Sequence, residues 1–288
     1  MMRIGLSVYD MGARDLLDLA VAADDLGFDA LWLGEHLVLP YDYSSEHPTQ
    51  GETAHQHHTR PIIDPATKLL DPWSALSAAA ALTTRVKLAT GIYILPLRHP
   101  LLTARAACTT QEIAAGRFML GVGAGWLREE FAALGVPFDE RGSRLEECLE
   151  VLRSAWSGGP FEHQGNHFTT GRIQVTPRPV AVPLVLGGNT DRALHRAARL
   201  GDAWFSSGTP SFSDAVRLRD RLAALCEQYG RAMIACYFRL EGQDLELVPR
   251  YEAEGIINLV VWADQIWRGA DLAQKRACLA RAADRFMI

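Results

Sequence analysis

The chain has 288 residues, 48% of them hydrophobic and 22% charged, with a net charge of -5. That balance suits a globular protein able to bury a sizeable core, and the lack of a basic cluster argues against a nucleic-acid partner. No apolar run reaches the length of a membrane span.

Met1-Met2-Arg3 leads directly into Ile4-Gly5-Leu6-Ser7-Val8, a first strand too short to be the core of a signal peptide. Five cysteines lie far apart and form no Cys-x-x-Cys pair. This fits a reducing compartment rather than a disulfide framework or a thiolate zinc site, so a cytoplasmic location is expected. Reading short apolar runs as strands gives residues 4–8, 30–33, 86–90, 118–122, 184–186, 203–206, 235–240 and 256–262. Periodic segments predict helices over 13–26, 72–82, 101–114, a broken pair across 129–156, then 191–200, 212–229, 249–253 and 271–285. Four helix-to-strand joints carry a glycine where a helix C-cap falls: Gly27, Gly116, Gly201 and Gly255.

Strands such as Leu259-Val260-Val261-Trp262 are apolar on both faces, as parallel strands under helices must be. Regular alternation over about 250 residues predicts a (β/α)8 TIM barrel in one domain spanning 1–288. A doubly wound open sheet is the alternative. Its first strand should lead into a glycine-rich fingerprint, whereas this one leads into Tyr9-Asp10-Met11-Gly12. Two stretches are long for connections. The first, residues 40–65, follows the second strand and holds the His55-x-His57-His58 cluster. With no thiolate or close carboxylate to complete it, that cluster reads as a solvated loop, and no metal site is expected. The second stretch, 161–179, contains a small β-hairpin with a Gly165-Asn166 turn.

In a TIM barrel the residues just after each strand form the site. Here they are Tyr9 and Asp10, Glu35 and His36, Gly91 and Ile92, Gly123 to Trp126, Gly187 to Asn189, and Ser206 and Ser207. Glycines 121, 123 and 125 leave the backbone bare, either for a flat or anionic ligand or simply for a tight turn and close packing. His36 is the titratable candidate, with Glu35 beside it. Adjacent strand residues point opposite ways, so one of the pair is expected to face the lumen and the other to brace a helix or loop. Gly187-Gly188-Asn189-Thr190 before a helix offers backbone N–H groups to a phosphate, or is an ordinary capped turn.

Taken together, these segments resemble the bacterial luciferase-like monooxygenase superfamily, and within it the branch that uses the deazaflavin coenzyme F420. The likeness rests on Leu26-Gly27-Phe28-Asp29-Ala30-Leu31-Trp32-Leu33-Gly34-Glu35-His36, Thr90-Gly91-Ile92, Leu95-Pro96-Leu97-Arg98-His99-Pro100, Gly121 to Trp126, Arg141-Gly142-x-Arg144 and Leu186-Gly187-Gly188. The resemblance implies a homodimeric oxidoreductase whose small-molecule substrate exchanges a hydride with F420. Reduced FMN in a two-component monooxygenase is the alternative, and a non-catalytic flavin- or metabolite-binding barrel the second. It further implies His36 as the active-site histidine with Glu35 alongside. The cofactor would be held by Gly91 and Ile92, at a non-prolyl cis peptide, and by Gly123, Gly125, Trp126, Gly187, Gly188 and Asn189. Relatives that oxidise a sugar phosphate carry a glutamate directly after the glycine loop. Trp126 stands there in this chain, which turns the expectation toward an apolar or planar substrate.

Overall fold

The structure, a computed structural model, describes residues 2–47, 64–177, 181–240 and 246–286. In chain order its strands are β1 (Arg3–Val8), β2 (Ala30–Leu33), β3 (Lys87–Thr90), β4 (Tyr93–Ile94), β5 (Phe118–Gly123), β6 (Phe161–Gln164), β7 (Thr169–Ile173), β8 (Leu184–Gly187), β9 (Ala203–Phe205), β10 (Ala235–Leu240) and β11 (Asn258–Trp262). The α-helices are α1 (Ala13–Leu26), α2 (Pro72–Leu82), α3 (Pro100–Ile113), α4 (Arg128–Ala133), α5 (Arg141–Ala155), α6 (Asp191–Leu200), α7 (Phe212–Gln228), α8 (Val248–Ala253), α9 (Ala263–Ile266) and α10 (Leu272–Phe286).

The sheet runs β3-β2-β1-β11-β10-β9-β8-β5, and β3 pairs back onto β5, so eight parallel strands close into the expected TIM barrel. The short β4 is an addition to that plan. Between Ala89↔Met119 on β3 and Tyr93↔Val122 on β4 the register offset against β5 falls from 30 (119 − 89) to 29 (122 − 93). One extra residue is therefore accommodated across Thr90–Ile92, and the Gly91–Ile92 peptide within it is cis. The last strand begins at Asn258, two residues later than the apolar run suggested.

Local chemistry accounts for the helix boundaries. Asp71 caps α2 by accepting from Ser74 N–H, with Pro72 at the first helical position. Thr190 does the same for α6 through Ala193 N–H. Gly27 ends α1 in the left-handed region at φ 82°, as a C-cap glycine should. Gly201 departs from that expectation: it is extended at φ -85°. Space rather than dihedral freedom requires it, since a Cβ there would lie 2.9 Å from the carbonyls of both Ala197 and Ala203.

Helices cover the outside of the barrel with Leu and Ala, while Trp32, Phe205, Tyr237 and Met119 fill its interior. The Trp32 ring stacks on Phe205 with centroids 4.5 Å apart and meets Tyr237 at 4.8 Å. The lumen is thus plugged, and a cavity is left at the carboxyl ends of the strands, where TIM-barrel sites lie.

The inserted hairpin β6–β7 is present with a four-residue connection, closed by Gly165 N–H to Phe168 O at 3.0 Å, rather than a two-residue turn. The reason lies on α5. The carboxylate of Glu147, 8% exposed, accepts from the N–H groups of Asn166, His167 and Phe168 at 2.7–3.1 Å, which holds the connection open around it. Burial pushes the Glu147 carboxyl up, but the Phe168 N–H and the bonds from His163 and His167 outweigh it and leave the group below its ordinary value. Among the described residues no helix is long and apolar enough to cross a membrane, and no group of three His, Cys, Asp or Glu is placed to hold a metal. The His55, His57 and His58 cluster lies outside the described residues.

Candidate active site

A cavity of about 820 Å³ opens at the carboxyl ends of the strands. Its walls include Glu35, His36, Gly91, Ile92, Gly123, Gly125, Trp126, Gly187, Gly188 and Asn189, as expected from the sequence, but not Gly121. Their contacts give them different roles.

His36 and Glu35 follow β2 and part company as strand alternation requires. The Nδ1 of His36 lies 2.9 Å from Oε2 of Glu130, a carboxylate on α4 that is fully buried. A carboxylate only accepts, so Nδ1 carries a proton, and Nε2 is the ring nitrogen left to the cavity. Glu130 also accepts from Leu37 N–H at 2.5 Å and Val38 N–H at 3.4 Å, fixing the backbone on which His36 sits. Glu35 is engaged elsewhere. Arg98 grips it through Nη1 and Nη2 at 2.7 Å each, and Ile94 N–H donates to it at 2.8 Å. Burial lowers the affinity of Arg98 for its proton, but the Glu35 hydrogen bonds and charge more than offset this, so its pKa is raised. Glu35 therefore ties the end of β2 to the segment that follows the Gly91–Ile92 peptide, and is a brace rather than a free acid.

The glycine loop has a packing explanation of its own. A Cβ on Gly121 would lie 1.9 Å from Thr90 O, and one on Gly123 would lie 2.0 Å from Cδ1 of Ile92. Gly125 combines φ 82° with a 2.7 Å approach to Ile94. The side chain of Ile92 spans this wall, reaching Gly123 through Cδ1 and Gly187 through Cγ2. Asn189 is also committed: its amide donates to Ser207 O at 2.8 Å and accepts from Ser207 N–H at 2.7 Å, joining the loops after β8 and β9.

Several site residues had no clear mark in the sequence. Glu129 and Glu130 read as acids suited to a helix dipole, and they do lie in the first turn of α4. Both also hold the chain that follows β2. Glu129 accepts from Ser44 N–H at 2.7 Å and from Ser45 Oγ at 2.6 Å, while Arg128 N–H returns a bond to Ser45 Oγ at 3.0 Å. This seats His47 edge-on to Trp126, with centroids 4.7 Å apart, and His36 meets the same indole at 5.9 Å. Tyr9, just after the neighbouring β1, lies beside Gly34 on the same side of the cavity. Burial, then the charges of Asp10 and Glu130, push its hydroxyl above its ordinary value, so it stays protonated.

Acid should loosen this seat. Burial, and the charges of His36 and Arg239, lower the pKa of His47 from 6.5 to about 4. The neutral form is the one that docks, so docking is strongest above 6.5 and weakens as pH falls toward 4. Against some desolvation, Ser45 and Ser44 hold Glu129 down to about 2; its contribution is full above the ordinary 4.5 and fades below that. The expected result is a change in Trp126 emission between pH 6.5 and 4, obtained as the difference between the protein and Trp126→Phe. A flat difference over that range contradicts the docked arrangement.

A parallel barrel whose strand ends converge on a buried imidazole–carboxylate pair and a large cavity defines a TIM-barrel enzyme. The model of the luciferase-like monooxygenase family matches residues 2–242, and the chain belongs to that family. Its members are oxidoreductases or monooxygenases, and this protein is an enzyme of that kind. An uncharacterized protein of Mycobacterium bovis is 30% identical over 249 residues, which cover 85% of this chain and 83% of that one. An F420-dependent glucose-6-phosphate dehydrogenase of Beutenbergia cavernae is 33% identical over 211 residues, covering 71% of this chain and 56% of its own. In overall shape the chain is similar to the crystal structure of monooxygenase RslO1 from Streptomyces bottropensis, with a TM-score of 0.77, 18% identity and 99% of each chain covered.

Proposed function

We propose that the protein is an F420-dependent oxidoreductase, moving a hydride between the deazaflavin and a small apolar or planar organic substrate, with His36 handling the accompanying proton. The observation that carries this reading is the His36–Glu130 pair, buried at the edge of a cavity within the size range of small-molecule sites. The residues fit a flat ring with an anionic tail. The wall at Gly91, Gly123 and Gly187 presents backbone and the Ile92 side chain, and the start of α6 after Gly188 suits a phosphate.

A bound deazaflavin supplies the hydride chemistry, and the barrel supplies orientation and exclusion of water. In the oxidising direction His36 Nε2 takes a proton from the substrate hydroxyl, and the buried Glu130 carboxylate stabilises the resulting imidazolium. In the reducing direction the same nitrogen returns it. Trp126 meets the His36 ring edge-on, with centroids 5.9 Å apart, where relatives acting on a sugar phosphate have a carboxylate. An indole neither accepts that proton nor binds a polyol well, which supports an apolar or planar substrate.

Side-by-side titration with F420 and FMN tests the cofactor, with saturable quenching of F420 fluorescence expected. His36→Ala should slow turnover by about 100-fold or more while leaving cofactor affinity near that of the parent. Binding of FMN alone, with oxygen consumed per turnover, would point instead to a reduced-FMN monooxygenase. Undiminished turnover in the variant would remove His36 from the chemistry.

A further inference from the structure

Three arginines penetrate the barrel wall, and they are satisfied very differently. Arg98 has a carboxylate, Glu35. Arg117 bonds to no acid among the described residues but gives four hydrogen bonds, to Thr83 Oγ1, Val86 O, Ala80 O and Thr83 O. Arg239, near the end of β10, is the most deeply buried at 8% exposure and has the fewest acceptors. Its Nε donates to Ser7 Oγ at 3.1 Å and its Nη2 to Gly91 O at 2.9 Å. A guanidinium has five N–H groups, so three are left over, and no carboxylate among the described residues pairs with it. The group forms part of the cavity lining, and its central carbon lies over two rings, 4.4 Å from the centroid of Phe205 and 4.9 Å from that of Trp262.

A buried cation that only braced two neutral acceptors would be a poor solution, because the desolvation cost recurs with no opposite charge to offset it. Burial already lowers its pKa to about 9, which still leaves it charged near neutrality. Four acids among the described residues line the cavity, Asp10, Glu35, Asp214 and Asp264, and none is ion-paired with Arg239: Glu35 is taken by Arg98, Asp214 by Arg217 at 2.7 Å, and Asp10 accepts from Lys68 N–H at 2.9 Å. What the floor of the cavity offers is a fixed, planar, uncompensated fork of donors.

We infer that Arg239 is the receptor for a delocalised oxyanion at the buried end of the cavity's occupant. Two sources carry that chemistry: a carboxylate on the substrate, or the carbonyl edge of a flavin-type ring, which gains negative charge on two-electron reduction. The inference rests on the proposed reading of the cavity as the reaction site. The bond from Arg239 to Gly91 O puts the cation directly beneath the wall assigned to the ring, so either source is within its field.

The test begins without cofactor. Benzoate should raise the thermal unfolding midpoint of the ligand-free protein saturably, while benzamide, of the same shape but uncharged, should not. Arg239→Met should lose the benzoate response with an unfolding midpoint no lower than the parent's, and Arg239→Lys, which keeps the charge but not the fork, should bind benzoate at least tenfold more weakly. The second arm compares reduced with oxidised FMN and F420. The parent should bind the reduced form at least tenfold more tightly, and Arg239→Met should erase that preference. A benzoate response alone assigns the oxyanion to the substrate, and a redox preference alone assigns it to the ring. Neither response in the parent overturns the inference, as does an Arg239→Met variant that is less stable yet keeps both responses. If Arg239→Met does not fold, the parent and Arg239→Lys decide. Should the protein bind neither cofactor, the proposed function fails at the second arm while benzoate still tests Arg239.

Discussion

Glu35→Ala is expected to destabilise the protein by about 3–5 kcal/mol, because it strands the Arg98 guanidinium in the barrel wall without its counter-ion. Both side chains are well buried, at 13% and 1% exposure, so solvent does little to screen the loss. The same change removes the acceptor of Ile94 N–H, just beyond the Gly91–Ile92 peptide. Damage should therefore spread from stability to the wall on which a cofactor would rest. A second variant separates the two contributions. Glu35→Met combined with Arg98→Met replaces the pair by apolar side chains and should recover most of the loss, leaving about 1–3 kcal/mol for the orphaned N–H. Denaturant unfolding measures both. A cost below about 1 kcal/mol for the single variant would mean that the pair is hydrated in solution and braces nothing.

The frame was readable because it depends on local signals. The caps at Asp71 and Thr190, the C-cap at Gly27 and the doubly apolar strands each follow from a few neighbouring residues, and their alternation leaves few folds to choose from. The site depends on pairs far apart in sequence: His36 with Glu130, Glu35 with Arg98, and Arg239 with Gly91, separated by 94, 63 and 148 positions. Nothing local to Glu130 distinguishes a proton-holding carboxylate from an acid suiting a helix dipole, and it does occupy the first turn of α4. For Arg239 a signal did exist. A cation one residue from the end of an otherwise apolar strand, in Tyr237-Phe238-Arg239-Leu240, has no solvent to face in a closed barrel. The glycine loop is ambiguous in a different way: the residues at 121 and 123 invite a ligand reading, and Thr90 O and Ile92 by themselves already leave no room for side chains there. Bare backbone shows that something lies close, without showing whether that neighbour is the protein or a guest.

Glu130→Gln is the change expected to affect activity most while disturbing the fold least. The carboxylate of Glu130 serves two masters, the backbone N–H groups of Leu37 and Val38 at Oε1 and the imidazole Nδ1 at Oε2. A glutamine in the same place must keep its carbonyl toward Leu37 and Val38, since an amide NH2 there would face two donors. Its NH2 then points at His36 Nδ1 and obliges that nitrogen to accept. The ring proton moves to Nε2, and the nitrogen exposed to the substrate can no longer take one up. By the logic of a misassigned tautomer, turnover should fall by about 10²–10⁴-fold near neutral pH, with unfolding midpoint and cofactor affinity close to the parent's. Glu130→Ala differs in kind: it leaves Leu37 N–H without an acceptor and should cost about 1–3 kcal/mol of stability as well. Nitrogen-15 spectra of the His36 ring distinguish a tautomer switch from a merely displaced side chain. Turnover at the parental rate in Glu130→Gln, or a ring still protonated at Nδ1 in that variant, would show that the carboxylate holds the loop and has no part in setting the proton.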